Sequence, residues 1–387
     1  MTSELQIAVP TTSFVMPELD WITVKGFKSI ASIEKLKLGA INVVIGANGS
    51  GKSNFIGVFS FLHALKAGQL QEYIGRAGGA NRILHFGSKT TKLLSIHVSF
   101  ENERNQYSVS LLPTETDELI PLSEIAYFWN KSYPQPYTDS LARVGREAGI
   151  SSEKSTKIGS YVRSHFERWR LYHFHDTSGT SPMKQTADLN DNAYLRPDGS
   201  NLASFLFYLK EKHSTSYELI RKSVQRVAPF FLDFQLGAQK LNPDKIRLEW
   251  RHVGSEDYFD ASSLSDGTLR FIALATLFLQ PESYRPSVIL VDEPELGLHP
   301  FALTMLASLV KQSATTTQVI LSTQSPLLLD HFDPADVLVA DRVEGGTTLS
   351  RLDVDRLESW LEDYSLGQLW EKNELGGRPA SEQAQTR

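Results

Sequence analysis

The chain of 387 residues contains no cysteine. Disulfides, thiolate metal sites and a cysteine nucleophile are excluded with it, and the absence suits a reducing, cytoplasmic setting. An excess of positive charge is missing as well. Lys and Arg number 39 against 45 Asp and Glu, for a net charge of −6. A dedicated nucleic-acid binder is usually basic, so any such contact must be local or arise in a complex. The longest apolar stretch, near Phe271–Leu279, falls far short of the roughly 20 residues of a membrane-spanning helix. No membrane partner is expected. The first 18 residues have no basic segment leading into an apolar one, so they are not a secretory signal; they read as a loose leader. Internal repeats and low-complexity blocks are absent. No a/d heptad persists over three or four turns, which excludes long coiled-coil arms. What remains, 41% hydrophobic and 22% charged residues, is ordinary for a soluble globular protein.

Hydrophobic periodicity divides the chain. Residues 19–112 read as strands around one helix. Ile41–Ile45 is a short apolar run of the buried-strand kind, and Phe55–Lys66 sets Phe55, Phe59, Leu62 and Lys66 on one helical face. Leu93–Phe100 and Tyr107–Leu112 alternate across a polar connection, as a β-hairpin does. Residues 113–260 are mixed, an inserted and mainly helical lobe. A helix is expected over Leu202–Val227, with Asn201 as its cap, and a strand over Ile246–Trp250. Residues 261–372 alternate helix and strand: Thr268–Leu279, Val288–Val291, Phe301–Lys311, Val319–Leu321 and Val337–Ala340. That alternation is α/β with a parallel sheet. Residues 373–387 read as a polar, disordered tail.

Two motifs carry chemistry. Gly46-Ala47-Asn48-Gly49-Ser50-Gly51-Lys52-Ser53 fits the phosphate-loop pattern G-x-x-x-x-G-K-[ST], between an apolar strand and an amphipathic helix as that motif requires. Its glycines let the backbone wrap around phosphates with amide groups inward, and the helix adds its positive end. Lys52 would reach the β- and γ-phosphates, and the Ser53 hydroxyl would ligate Mg²⁺. The second motif is Val288-Ile289-Leu290-Val291-Asp292-Glu293. A buried parallel strand ends there in two carboxylates, and the carboxyl end of such a strand is where ligands sit in open α/β sheets. Asp292 suits the metal, and Glu293 suits orienting or deprotonating an attacking water. Without the phosphate loop, the same string reads equally well as a strand leaving into an acidic loop.

Around these motifs a family resemblance becomes specific. Ser263-Leu264-Ser265-Asp266-Gly267-Thr268 resembles the signature loop of ABC-type ATPases in an S-D-G-T form, although alone it reads as a plain helix cap. Asp292-Glu293-Pro294-Glu295-Leu296-Gly297-Leu298-His299-Pro300 resembles the D-E-P-E-x-x-L-H-P string of RecF- and OLD-like ATPases, and Leu321-Ser322-Thr323-Gln324-Ser325-Pro326 resembles their switch strand. Most such heads have His where Gln324 stands; Gln can donate a hydrogen bond but cannot become cationic. Gly26-Phe27-Lys28-Ser29 resembles the F-[KR]-S string of SMC, RecF and OLD heads.

The resemblance covers about residues 21–60 and 263–341. It implies an ABC-type P-loop NTPase head with an antiparallel β lobe. It also implies an ATPase with ATP and Mg²⁺ as ligands. Lys28, Asn48, Gly49, Ser50, Gly51, Lys52, Ser53 and Asn54 would line the nucleotide, Ser53 and Asp292 would hold the metal, and Lys52, Glu293 and Gln324 would serve catalysis. Such heads work as head-to-tail dimers. Ser265 and Gly267 would then act on the nucleotide of the second copy, and ATP would join the subunits until its hydrolysis releases them. A Q-loop residue should lie between the two motif blocks, with Asp176 and Gln185 as candidates. His173 and His175 stand at strand spacing, but without further ligands such a pair is more often structural than metal-binding.

OLD-type nucleases carry a Toprim domain after the ATPase, and only about 60 residues follow the switch here. Asp353-Val354-Asp355 lacks the context of a Toprim site and reads as a surface charge cluster. The expectation is therefore a stand-alone head controlling a partner effector, a nuclease or toxin, in anti-phage defence or DNA repair. Double-stranded DNA is a candidate ligand. The alternatives are an ATP-locked scaffold with little turnover and an autonomous nuclease. Arg163, Arg168 and Arg170, together with Lys210, Lys212, Arg221, Lys222 and Arg226, could meet phosphates, or they are solvated helix faces.

Overall fold

The computed structural model describes residues 18–143, 145–152 and 156–377. Most of the expected leader and the tail beyond residue 377 lie outside the described residues. Between residues 373 and 377 the chain is not tail: Leu375 is buried in the core, and the Gly377 carbonyl accepts from Ala47 N–H at 2.6 Å.

At the centre is a six-stranded sheet. Its order is Gly346–Arg351, Val337–Val343, Ile41–Ile45, Gln318–Ser322, Val288–Asp292, Trp169–Tyr172. Every neighbouring pair is parallel except the first, a hairpin. The three inner strands Ile41–Ile45, Gln318–Ser322 and Val288–Asp292 are mainly apolar because both faces are covered. Alternate residues feed opposite cores. Val43, Ile45, Ile289, Val291, Val319 and Leu321 face one, while Val44, Val288, Leu290 and Ile320 face the other.

The first core is covered by the helices Asp266–Leu279 and Pro300–Ser313, with the pair Leu202–Lys212 and Ser214–Val227 outside them. Asp266–Leu279 is buried on every side from Thr268 onward, as a helix between two layers must be. The second core holds the helix Lys52–Ala67 between this sheet and an antiparallel one. That second sheet runs Ile30–Lys37, Leu19–Phe27, Leu94–Phe100, Asn105–Pro113, Leu119–Phe128, Tyr137–Ser140.

Residues 113–260 do several jobs. Their first two strands extend the antiparallel sheet, and Trp169–Tyr172 closes the edge of the parallel one. The expected helix over 202–227 is two helices parted at His213. Asn201 stands at the N-cap position without capping. Its amide instead donates to the carbonyls of Asp191 and Tyr194 and accepts from Arg196 N–H, so it pins the preceding loop. The expected strand at 246–250 is the end of one strand, Asn242–Ile246, and the start of another, Glu249–His252.

Candidate functional site

The carboxyl ends of the parallel strands converge, and the motif residues lie on the loops that leave them. Ile41–Ile45 opens into the phosphate loop, which turns through Gly49 and Gly51 into the helix starting at Lys52. Gly51 has φ 104, and a Cβ there would meet Thr347 Oγ1 at 2.0 Å and Ser29 Oγ at 2.8 Å. No other residue fits that turn. The Lys52 ammonium is buried and folds back on its own loop, donating to Gly46 O at 2.7 Å and Ala47 O at 3.0 Å. Burial lowers its pKa, while the carboxylates of Glu293, Asp292 and Glu295 work against that shift. Three acids therefore stand near enough to act on this amine. Ser53 faces solvent and Ser50 is buried, its hydroxyl without a protein partner. Asn54 Nδ2 donates to Ser29 Oγ at 2.7 Å.

Two strands away, Val288–Asp292 ends in the acidic pair. Asp292 Oδ1 accepts from the Ser322 hydroxyl on the neighbouring strand. Glu293 takes the left-handed conformation (φ 43), and its N–H donates to Ser322 O at 3.0 Å. The Gln324 amide donates to Glu293 Oε1, and Gln324 N–H donates to Glu295 Oε1 at 2.7 Å. Burial raises the Glu295 pKa. Two side-chain hydrogen bonds, Ser322 to Asp292 and Gln324 to Glu293, thus join the ends of two adjacent strands. Such an arrangement can hold a hard cation on carboxylate and hydroxyl oxygens, and can orient a water on Glu293.

Ser265 caps the helix Asp266–Leu279, accepting from Thr268 N–H at 3.2 Å. Gly267 lies so close to the loop after the acidic pair that a Cβ would meet Gly297 O at 2.2 Å. Lys28 sits at a turn with φ 47, and burial lowers its pKa.

The last core strand, Trp169–Tyr172, exits beside Asp292. His175 Nε2 donates to Asp292 O at 2.7 Å, which assigns the ring proton to that nitrogen. Burial depresses the His173 pKa although Asp292 pulls it upward. Of the two Q-loop candidates, Asp176 accepts from Ser178 within its own turn, and Gln185 Nε2 donates to Gly179 O at 3.3 Å. Among the described residues no group of three or more His, Cys, Asp or Glu could hold a metal ion. Asp353 caps the helix Val354–Leu361.

Three residues escaped the sequence reading. Thr347 is buried, with its hydroxyl 2.7 Å from Ser29 Oγ and 2.8 Å from Ser50 O. It clamps the phosphate loop to the β lobe. Arg270 is buried and donates to three carbonyls, Phe174 at 2.9 Å, His175 at 3.0 Å and Leu296. It ties the Ser265 helix to the loops after two core strands. Gly377 is the third, through its bond to Ala47. Their partners lie 95 to 297 residues away in sequence for Thr347–Ser50 and Arg270–His175, where no local pattern reaches. The basic residues of the first cluster are engaged: Arg163 donates to the carbonyls of Lys66, Ile150 and Ser151, and Arg168 pairs with Glu18.

Among the described residues no helix is long and apolar enough to cross a membrane. None of the curated proteins matches the chain. Solved structures do. An Smc head bound to the C-terminal winged-helix domain of ScpA is 18% identical, with TM-score 0.56 over 88% of this chain and 99% of that one. An Smc head with an extended coiled coil, bound to the C-terminal domain of ScpA from Pyrococcus furiosus, is 15% identical, with TM-score 0.55 over 90% and 99%. At such identities the likeness establishes the fold, an ABC-type P-loop head. The family model described as "AAA domain, putative AbiEii toxin, Type IV TA system" matches residues 41–330, well over half of the chain, and the chain belongs to that family.

Proposed function

We propose that the chain binds and hydrolyses ATP with Mg²⁺, and that two copies enclose two nucleotides head to tail. One observation supports this most. Glu293 and Gln324 are hydrogen-bonded to each other at the ends of adjacent parallel strands, and the same carboxylate acts on the Lys52 ammonium from the phosphate loop. A general base, a water-orienting amide and a phosphate-binding amine thereby share one site.

Asn48, Gly49, Ser50, Gly51 and Asn54 line the phosphate side, and Lys28 approaches from the β lobe. Lys52 exchanges its loop carbonyls for phosphate oxygens. The Ser53 hydroxyl and the Asp292 carboxylate are hard oxygen donors of the kind Mg²⁺ takes, and they would hold it. The ion supplies charge neutralisation on the phosphates. Glu293 accepts the proton of the attacking water, and Gln324 fixes its direction. Ser265 and Gly267 of one copy complete the site of the other. ATP then acts as the joint of the dimer and hydrolysis as its release.

The switch would govern a partner effector, a nuclease or toxin, in anti-phage defence or DNA repair. The family description names a toxin system, and the matched Smc head is itself bound to a partner domain. Double-stranded DNA is the proposed stimulus. ATPase rate per chain, followed across a dilution series, tests the paired arrangement. It should rise with concentration and then level. A rate per chain that stays constant throughout sinks the shared site.

A further inference from the structure

At the opposite end of the molecule, the amino end of the core sheet, lies a cavity of about 440 Å³. Its wall comes from the turn between Leu94–Phe100 and Asn105–Pro113, the end of Leu119–Phe128, and the helix Lys157–Glu167. Three cations face it: Arg104, Lys157 and Arg168. Arg168 and His165 share Glu18. Arg104 and Lys157 have no acidic partner among the described residues, and both are exposed. Phe128 and Tyr161 add aromatic surface, and the Tyr161 ring is about half exposed at 53%. The remaining acid of the wall, Glu101, accepts from Asn105 Nδ2 at 3.0 Å.

The volume suits a small molecule. Unpaired cations call for an anion, and aromatic faces for a flat ring. A phosphate ion offers only the first of these.

We infer that this cavity is a second ligand site, separate from the phosphate loop, that takes a nucleoside monophosphate. The phosphate is held by Arg104 and Lys157, and the base lies against Tyr161 and Phe128.

Isothermal titration of the full chain with AMP, GMP, CMP and UMP, and with inorganic phosphate, tests this. Monophosphates are chosen because they lack the phosphates that Lys52 is proposed to hold. At least one should bind at one site per chain. Lys52→Ala should leave that affinity unchanged. Arg104→Ala with Lys157→Ala, two exposed positions, should weaken it about tenfold or more, while thermal stability and ATP binding stay as in wild type. Three outcomes overturn the proposal: no monophosphate binds, binding is lost with Lys52→Ala and kept in the double variant, or inorganic phosphate binds as tightly as any nucleotide.

Discussion

Thr347→Val is a near-isosteric change at the clamp on the phosphate loop. The Thr347 hydroxyl meets both Ser29 Oγ and Ser50 O, and Ser29 Oγ also receives Asn54 Nδ2. The Thr347 hydroxyl is the donor toward both oxygens, its one proton shared between them, and Ser29 Oγ accepts from Asn54 as well. Valine removes that donor. Ser50 O and Ser29 Oγ both lose it, at a site where Thr347 is 1% exposed. Leaving a buried group unpaired costs about 1–3 kcal/mol. For a chain of 387 residues, at about 2.1 cal/mol/K of unfolding entropy per residue, that is a fall in Tm of roughly 1–4 °C. The loop also loses the tie that sets its turn at Gly51, so ATP affinity should drop several-fold. Scanning calorimetry and equilibrium binding of ATP measure the two effects. Thr348→Val, on an exposed neighbour with only a 3.4 Å contact to Asp341 O, is the control and should stay within about 0.5 kcal/mol. A Thr347→Val protein with wild-type Tm and ATP affinity refutes the clamp.

Gly267→Ala should disturb the Ser265 loop, since its methyl group would lie 2.2 Å from the backbone oxygen of Gly297. Urea unfolding should show a loss of about 1–3 kcal/mol, and ATPase should fall further than stability explains. Arg270→Ala leaves three carbonyls without their donor, so a loss of about 3 kcal/mol or more is expected by the same measurement; Arg270→Lys should recover only part of it. Glu295 carries a pKa raised mainly by burial. Above pH 4.5 the native state then holds more of this proton than the unfolded chain, so stability falls as pH rises through that window. Glu295→Gln removes this slope, and its stability relative to wild type, followed by thermal melting, should grow from pH 4.5 upward.

The nucleotide motifs were legible because each is local. Ile41–Ile45, the glycine turn and the Phe55–Lys66 face declare strand, loop and helix within about thirty residues, and Val288–Glu293 does the same. The long helix Asp266–Leu279 and its successor were legible from their apolar runs. Less was readable between residues 113 and 260. Trp169–Tyr172 is only four residues long, and it is a strand because Val288–Val291 pairs with it, which no local signal announces. Asn201 has the right residue type for a cap, yet its loop offered three backbone partners and took it. Leu375 and Gly377 sit in a stretch whose polar composition says tail, but one leucine and one carbonyl bind it to the core and the phosphate loop. Thr347 and Arg270 resemble any strand threonine or helix arginine until the fold brings distant backbone to them.

A shared ATP site that opens on hydrolysis is tested by steady-state ATPase of wild type and Glu293→Gln with light scattering on the same samples. Wild type should turn over ATP and the variant should not; the variant with ATP should remain a dimer or larger assembly, and both proteins should be smaller without nucleotide. Turnover by Glu293→Gln at the wild-type rate, or a mass that ignores ATP in both proteins, would contradict it.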